Sequence, residues 1–168
     1  MLIATFKSSI FDRLISRFSY EKNMTKIKVE KRDAILKAAL TLFSERGFHN
    51  TPTSLIAKEA GVATGTLFHH FKNKEELINA LYLELKMSLV GALREEMNNG
   101  DSVKDIIKNS WINGVKWGIM HPKEMQFIFQ YANSPFITKL TRDQAMGQYD
   151  FIANVYEQAM QDGLIKST

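Results

Sequence analysis

Apolar residues return at spacings of three and four along nearly the whole chain, the period of helices with one buried face. Ile3, Phe6, Ile10, Leu14 and Phe18 mark the first stripe, with Lys7, Asp12, Arg13, Ser16 and Arg17 between them. That stripe predicts an amphipathic helix. It lacks the basic start, continuous apolar run and small-residue cleavage site of a secretory signal. Met24 offers a second start. Residues 1–28 therefore read as an over-long beginning or a loosely docked extension, with a membrane-surface or partner helix as the alternative.

From Lys31 the period runs through Ile35, Ala38, Ala39, Leu42 and Phe43 and stops at Gly47, free to take the left-handed conformation that ends helices. Thr51-Pro52 predicts a new start, with Thr51 as cap and Pro52 in the first helical position. This second helix carries Leu55, Ile56 and Ala60 for about two turns before Gly61. A third runs from about Ala63 to Phe71. Asn73 and Glu76 have the spacing of a capping box at the head of a fourth, which Leu77, Leu81, Leu85, Leu89 and Ala92 carry to about Met97. Asn98-Asn99-Gly100-Asp101 breaks the pattern. Ser102 then caps a fifth helix, with Val103, Ile106, Ile107, Trp111 and Val115 on its inner side. Pro122 opens a sixth, through Phe127 and Tyr131. After Asn133-Ser134-Pro135, a seventh is predicted from about Thr141 through Phe151, Val155 and Met160 to Gly163. No stretch alternates with the period of a strand, and the fold class is all-α.

Composition narrows the function classes. The 168 residues include no Cys, which excludes disulfides and thiolate-held metals. No apolar run is long enough to span a bilayer. Charge is unevenly spread: residues 1–86 hold fourteen basic against nine acidic side chains, residues 87–168 eight against nine. The basic front half suits a polyanionic partner.

The short helices either side of Ala60-Gly61-Val62 have the layout of a helix-turn-helix, with Gly61 supplying the positive φ at the turn. On a helical wheel with Leu67 inward, Ala63 and Phe71 fall within about 40° of it. Gly65 and His69 then centre the outer face, flanked by Lys72, Phe68 and Thr66. That face is small, polar, aromatic and basic, and it carries no acid. Gly65 costs roughly 1 kcal/mol inside a helix, but it lets the backbone approach a groove. Lys72 and Lys74 sit beside the fourth helix's first amides, which favour anions.

Residues 31–82 resemble the DNA-binding domain of TetR-family transcriptional regulators. The resemblance rests on Ile35-Leu36-x-Ala38-Ala39-x-x-Leu42-Phe43-x-x-x-Gly47-Phe48, on Thr51-Pro52-Thr53-x-x-Ile56-Ala57-x-x-Ala60-Gly61-Val62, and on Gly65-Thr66-Leu67-Phe68-x-His70-Phe71-x-x-Lys74-x-x-Leu77. It implies a three-helix DNA-binding domain at 29–89, with its DNA-binding segment at about 52–71. A long fourth helix joins this to a helical C-terminal ligand-binding and dimerisation domain at 90–168. It also implies a homodimer on a double-stranded DNA operator. DNA contacts carry over to Thr51, Thr53, Thr64, Gly65, Thr66, Phe68, His69, His70, Lys72 and Lys74, with Thr53 and Lys74 on phosphate. Phe68 stands where the family commonly has Tyr. Ala63 stands where it commonly has Ser, which passes the capping role to Thr64. The family's two further helices after the seventh are not expected here, so the C-terminal domain reads as truncated.

The resemblance also implies a small hydrophobic or amphipathic effector. Its pocket would draw on Trp111, Trp117, Met120, Met125, Phe127, Phe129, Tyr131, Phe136, Tyr149 and Phe151. Helical spacing makes each of these, taken singly, a core residue. His69-His70 point about 100° apart on a helix and have no ligand-spaced partner, so no metal is expected, and no cofactor. No phosphate loop, nucleophile elbow or dinucleotide turn is present to support an enzyme. The expected function is a cytoplasmic, ligand-responsive DNA-binding repressor. The alternative is a helical small-molecule-binding protein, or a truncated regulator that has lost dimeric DNA binding.

Overall fold

The computed structural model describes the backbone of residues 2–95, 97 and 101–164, and the side chains of these from Met24 onward. Among the described residues the secondary structure is helical throughout, with α1 (Leu2–Arg46), α2 (Thr53–Glu59), α3 (Thr64–His70) and α4 (Lys74–Leu93) followed by α5 (Val103–Met120), α6 (Pro122–Tyr131), α7 (Lys139–Gly147) and α8 (Asp150–Gln161). None of these helices is long and apolar enough to cross a membrane.

α1 corrects the expected separation of an N-terminal extension from the first domain helix. It is one helix of 45 residues. The reason is local: no Gly or Pro occurs before Gly47, so nothing breaks the hydrogen-bond ladder. The stripe from Ile3 to Phe18 lies outside the described side chains. At the other end Gly47 takes φ 74° and its N–H donates to the Phe43 carbonyl at 2.9 Å.

The capping predictions hold for α4 to α6 with one shift. Asn73 accepts from the Glu76 N–H at 2.7 Å, but the Glu76 carboxylate accepts from Lys72 N–H at 3.0 Å, one residue earlier than in a capping box. Ser102 caps α5 through the Asp105 N–H at 3.2 Å. Pro122 opens α6. α4 stops at Leu93, short of the expected Met97. The predicted break at 98–100 lies outside the described residues.

The expected seventh helix is two. α7 begins at Lys139, with Thr138 accepting from the Thr141 N–H at 3.1 Å, and ends at Gly147. α8 restarts at Asp150 after Tyr149 N–H donates to the Met146 carbonyl at 2.8 Å. Tertiary packing demands the turn, because α7 packs on α4 whereas α8 packs on α5.

One core runs the length of the fold. Ile35, Ala39 and Phe43 of α1 meet Ile56 of α2, Leu67 of α3, and Leu77 and Ile78 of α4, all fully buried. The same cluster continues into Phe127 and Tyr131 of α6, Ile137 and Ala145. Tyr131 Oη donates to the Phe43 carbonyl at 3.2 Å. Asn79 of α4 donates to the Phe136 carbonyl at 2.8 Å and accepts from Thr138 N–H at 2.9 Å. α1 and α4, which carry the helix-turn-helix, are thereby both tied to the α6–α7 segment.

Candidate functional site

The turn between α2 and α3 forms as its residues dictate. Gly61 has φ 66°, and Val62 N–H closes back on the Ala57 carbonyl at 2.9 Å. Leu67 and Phe71 face the core. Ala63 is exposed, contrary to the wheel, because it is the N-cap with no wall above it. Thr64 does not cap; it is the first helical residue. Outward lie Gly65, His69 and Lys72, with Thr66 and His70 half-buried and the Phe68 ring 45% exposed. A Cβ on Gly65 would meet nothing within 4 Å. α3 carries no acidic side chain.

Two of the expected DNA contacts have other partners. Thr51 is fully buried, 0% exposed, with its hydroxyl 2.8 Å from the Gly47 carbonyl and 3.2 Å from that of Leu42. It neither caps α2 nor reaches solvent, and Pro52 is the N-cap. The hydroxyl ties the loop before α2 back to Gly47 and to the last turns of α1. Lys74 Nζ donates to the Phe48 carbonyl at 2.6 Å and the Thr51 carbonyl at 3.0 Å, and lies 4.3 Å from the Phe48 ring centroid. Burial lowers its pKa below the ordinary lysine value. Two of its three N–H donors are used inside the fold. Thr53 is half-buried at the start of α2.

A basic wall stands beside α3 that sequence reasoning missed. Thr25, Lys28 and Lys31 of α1 face Gly65, Thr66, His69 and His70 across a groove of about 480 Å³. His70 is held below the usual histidine pKa, first by burial, then by His69, Lys28, Arg32 and Lys31. Of those cations Arg32 is ion-paired to Glu84. The missed signal is Lys28, Lys31 and Arg32, which come alongside α3 only because α1 runs unbroken through Lys28 and Lys31.

The second feature is a cavity of about 670 Å³ among α4, α5, α6 and α8. Trp111, Met125, Phe129 and Tyr149 line it as expected. The other expected pocket residues do not. Phe127 and Tyr131 are core, and Trp117 is buried with its Nε1–H donating to Ser88 Oγ at 3.3 Å. Phe136 stacks on Phe48 at 4.1 Å, Phe151 lies under the Arg94 guanidinium at 4.1 Å, and Met120 is 75% exposed. Lys86, Leu89, Ile107, Val115, Ile119 and Ile152 are also part of the wall. Leu89, Ile107 and Val115 are placed on helix faces by their spacing, and which face opens on a cavity depends on where α8 turns.

Residues 35–81 match the family described as "Bacterial regulatory proteins, tetR family". The crystal structure of a TetR-family transcription regulator from Shewanella sp. PV-4 superposes with a TM-score of 0.75 at 40% identity, over 79% of this chain and 71% of that one. The chain belongs to the TetR family of transcriptional regulators. Curated relatives match over stretches of different length, and the HTH-type transcriptional regulator UidR of Escherichia coli (strain K12) is 28% identical over 135 residues, 80% of this chain and 68% of that protein. The fatty acid metabolism regulator protein of Bacillus subtilis (strain 168) is 35% identical over 80 residues, 48% of this chain and 41% of that protein. The HTH-type transcriptional repressor KstR2 of Mycolicibacterium smegmatis is 33% identical over 72 residues, 43% of this chain and 35% of that protein. This TetR-family chain thus spans less than half the length of the last two relatives, and α2–α3 is its helix-turn-helix.

Proposed function

We propose that the protein is a cytoplasmic repressor that binds double-stranded operator DNA as a homodimer and leaves it when a small effector fills the α4–α5–α6–α8 cavity. The observation that carries the DNA half is the acid-free outer face of α3, with the Lys28–Lys31 wall beside it. Thr64, Thr66, Phe68, His69 and His70 then meet bases and sugars, while Lys72, Lys28, Lys31 and Thr53 meet phosphates. Lys74 positions the turn before α2 by holding two carbonyls. Effector control follows from connectivity, since α4 forms a cavity wall and also packs on α1, which in turn carries α2 and α3, with Leu77 and Ile78 in their common core. Release requires the effector to bind the two conformations with different affinity.

The test is selection from a random duplex library by the full chain, followed by anisotropy titration at several salt concentrations. We expect one preferred sequence, with preference relaxed by Thr66→Ala or His69→Ala. Lys28→Ala with Lys31→Ala should weaken all duplexes alike and flatten the salt slope by about two ions. No selected sequence, or an unchanged slope in the double variant, refutes the assignment.

A further inference from the structure

The cavity wall is apolar apart from the Lys86 ammonium, the Trp111 Nε1–H and the hydroxyls of Ser110 and Tyr156. Ser110 Oγ–H donates to the Ile106 carbonyl at 2.8 Å, and Tyr156 Oη accepts from Trp111 Nε1–H at 3.3 Å. Lys86 is the one charged group of the wall. Its Nζ sits 4.3 Å from the Tyr149 ring centroid, and no carboxylate among the described residues pairs with it. Tyr149 meets Lys86 with its ring, while its Oη is buried away from the open cavity. Burial pushes the Lys86 pKa down, the sign of an ammonium stripped of water. A neutral, wholly apolar ligand would cover that ammonium and leave it without a counter-charge, at a desolvation cost. A doubly charged head group would bring one charge more than Lys86 can neutralise into an apolar site. A single negative charge matches.

We propose that the cavity binds an amphipathic monocarboxylate, its carboxylate on Lys86 Nζ and its apolar body along Leu89, Val115, Ile119 and Phe129. This rests on the reading of the cavity as the effector site. Ile119 and Phe129 are each 74% exposed, which leaves apolar surface for the body of the ligand to cover.

Trp111 lines the cavity and Trp117 is buried outside it, so tryptophan emission reports occupancy, with Trp111→Phe as the blank. The full chain is titrated with dodecanoate, dodecanol and dodecyl phosphate below their micelle concentrations. Dodecanoate should bind at least about tenfold more tightly than either of the others. Lys86→Met should erase that advantage and Lys86→Arg should keep most of it. Equal affinity for dodecanoate and dodecanol, tighter dodecyl phosphate, or an advantage that survives Lys86→Met overturns the carboxylate site while leaving the cavity as an effector site. Binding of none of the three overturns both, and duplex retardation in the same sample then shows that the DNA reading stands apart. If none binds and the chain sediments as a dimer that Trp111→Asp dissociates, a second copy covers this face and the proposal falls.

Discussion

Replacing Lys74 by Ala separates a structural lysine from a phosphate-binding one. Its ammonium holds the Phe48 and Thr51 carbonyls at 2.6 and 3.0 Å and lies on the Phe48 ring. A hydrogen bond from a charged donor contributes about 1.5–3 kcal/mol where buried, and a cation over an aromatic face about 0.5–1. Lys74 is only half-buried, so these values are discounted for solvent. The sum we expect to lose is about 2 kcal/mol, a fall of about 4–8 °C in midpoint for a chain of this size. Urea unfolding followed by circular dichroism measures it. The same variant is then titrated with its preferred duplex across a salt series. A positioning lysine predicts weaker binding with the salt slope unchanged. A phosphate-binding lysine predicts a slope flatter by about one ion, with stability within about 0.5 kcal/mol of the parent. The second pair of results would refute the role assigned from the structure.

Other outcomes follow from single residues. Gly65→Ala should stabilise the fold by about 0.5–1 kcal/mol in urea, since its Cβ meets open space, and yet weaken operator binding; unchanged affinity would mean that DNA does not approach there. Burial and neighbouring cations hold the His70 pKa below the usual histidine value, and a phosphate placed beside it opposes that field. Operator affinity should therefore rise as pH falls from 7.5 to 5.5 with proton uptake, and His70→Gln should remove that share of the pH dependence. In the free protein the sign is opposite: a folded pKa below the unfolded 6.5 makes the group's contribution fall as pH drops through 6.5. Absorbance at 295 nm should show Tyr149 ionising last, near pH 12, and Tyr149→Phe should lose that step. Because its folded pKa lies above the ordinary tyrosine value of 10.0, its stabilising share is intact below pH 10 and disappears as pH rises through about 12.

Much of the DNA-binding end is legible in order of residues. Gly47 and Gly61 take the positive φ their positions call for, and Asn73, Ser102 and Pro122 start helices where their chemistry predicts. These are local effects, settled within one helical turn. The partners of Thr51 and Lys74 are carbonyls of the preceding loop and of α1's end, contacts that spacing does not reveal. The aromatic residues of the C-terminal half divide for a related reason. Period three-and-four marks Phe127, Tyr131 and Trp111 alike as inward, and it does not say whether inward means core or cavity.

By itself the sequence determined helix after helix, the helix-turn-helix, and the acid-free outer face of α3, because periodicity, caps and turn glycines act over a few residues. Only the tertiary structure decided three things. An uninterrupted α1 brings Lys28 and Lys31 alongside Gly65 and His69. The turn at Gly147–Tyr149 sends α8 onto α5 and opens the cavity. Packing leaves the Lys86 ammonium on the wall of that cavity, over the Tyr149 ring and with no carboxylate beside it among the described residues. Each depends on which distant helix is packed where, since desolvation and charge are set by neighbours in space rather than by neighbours in the chain.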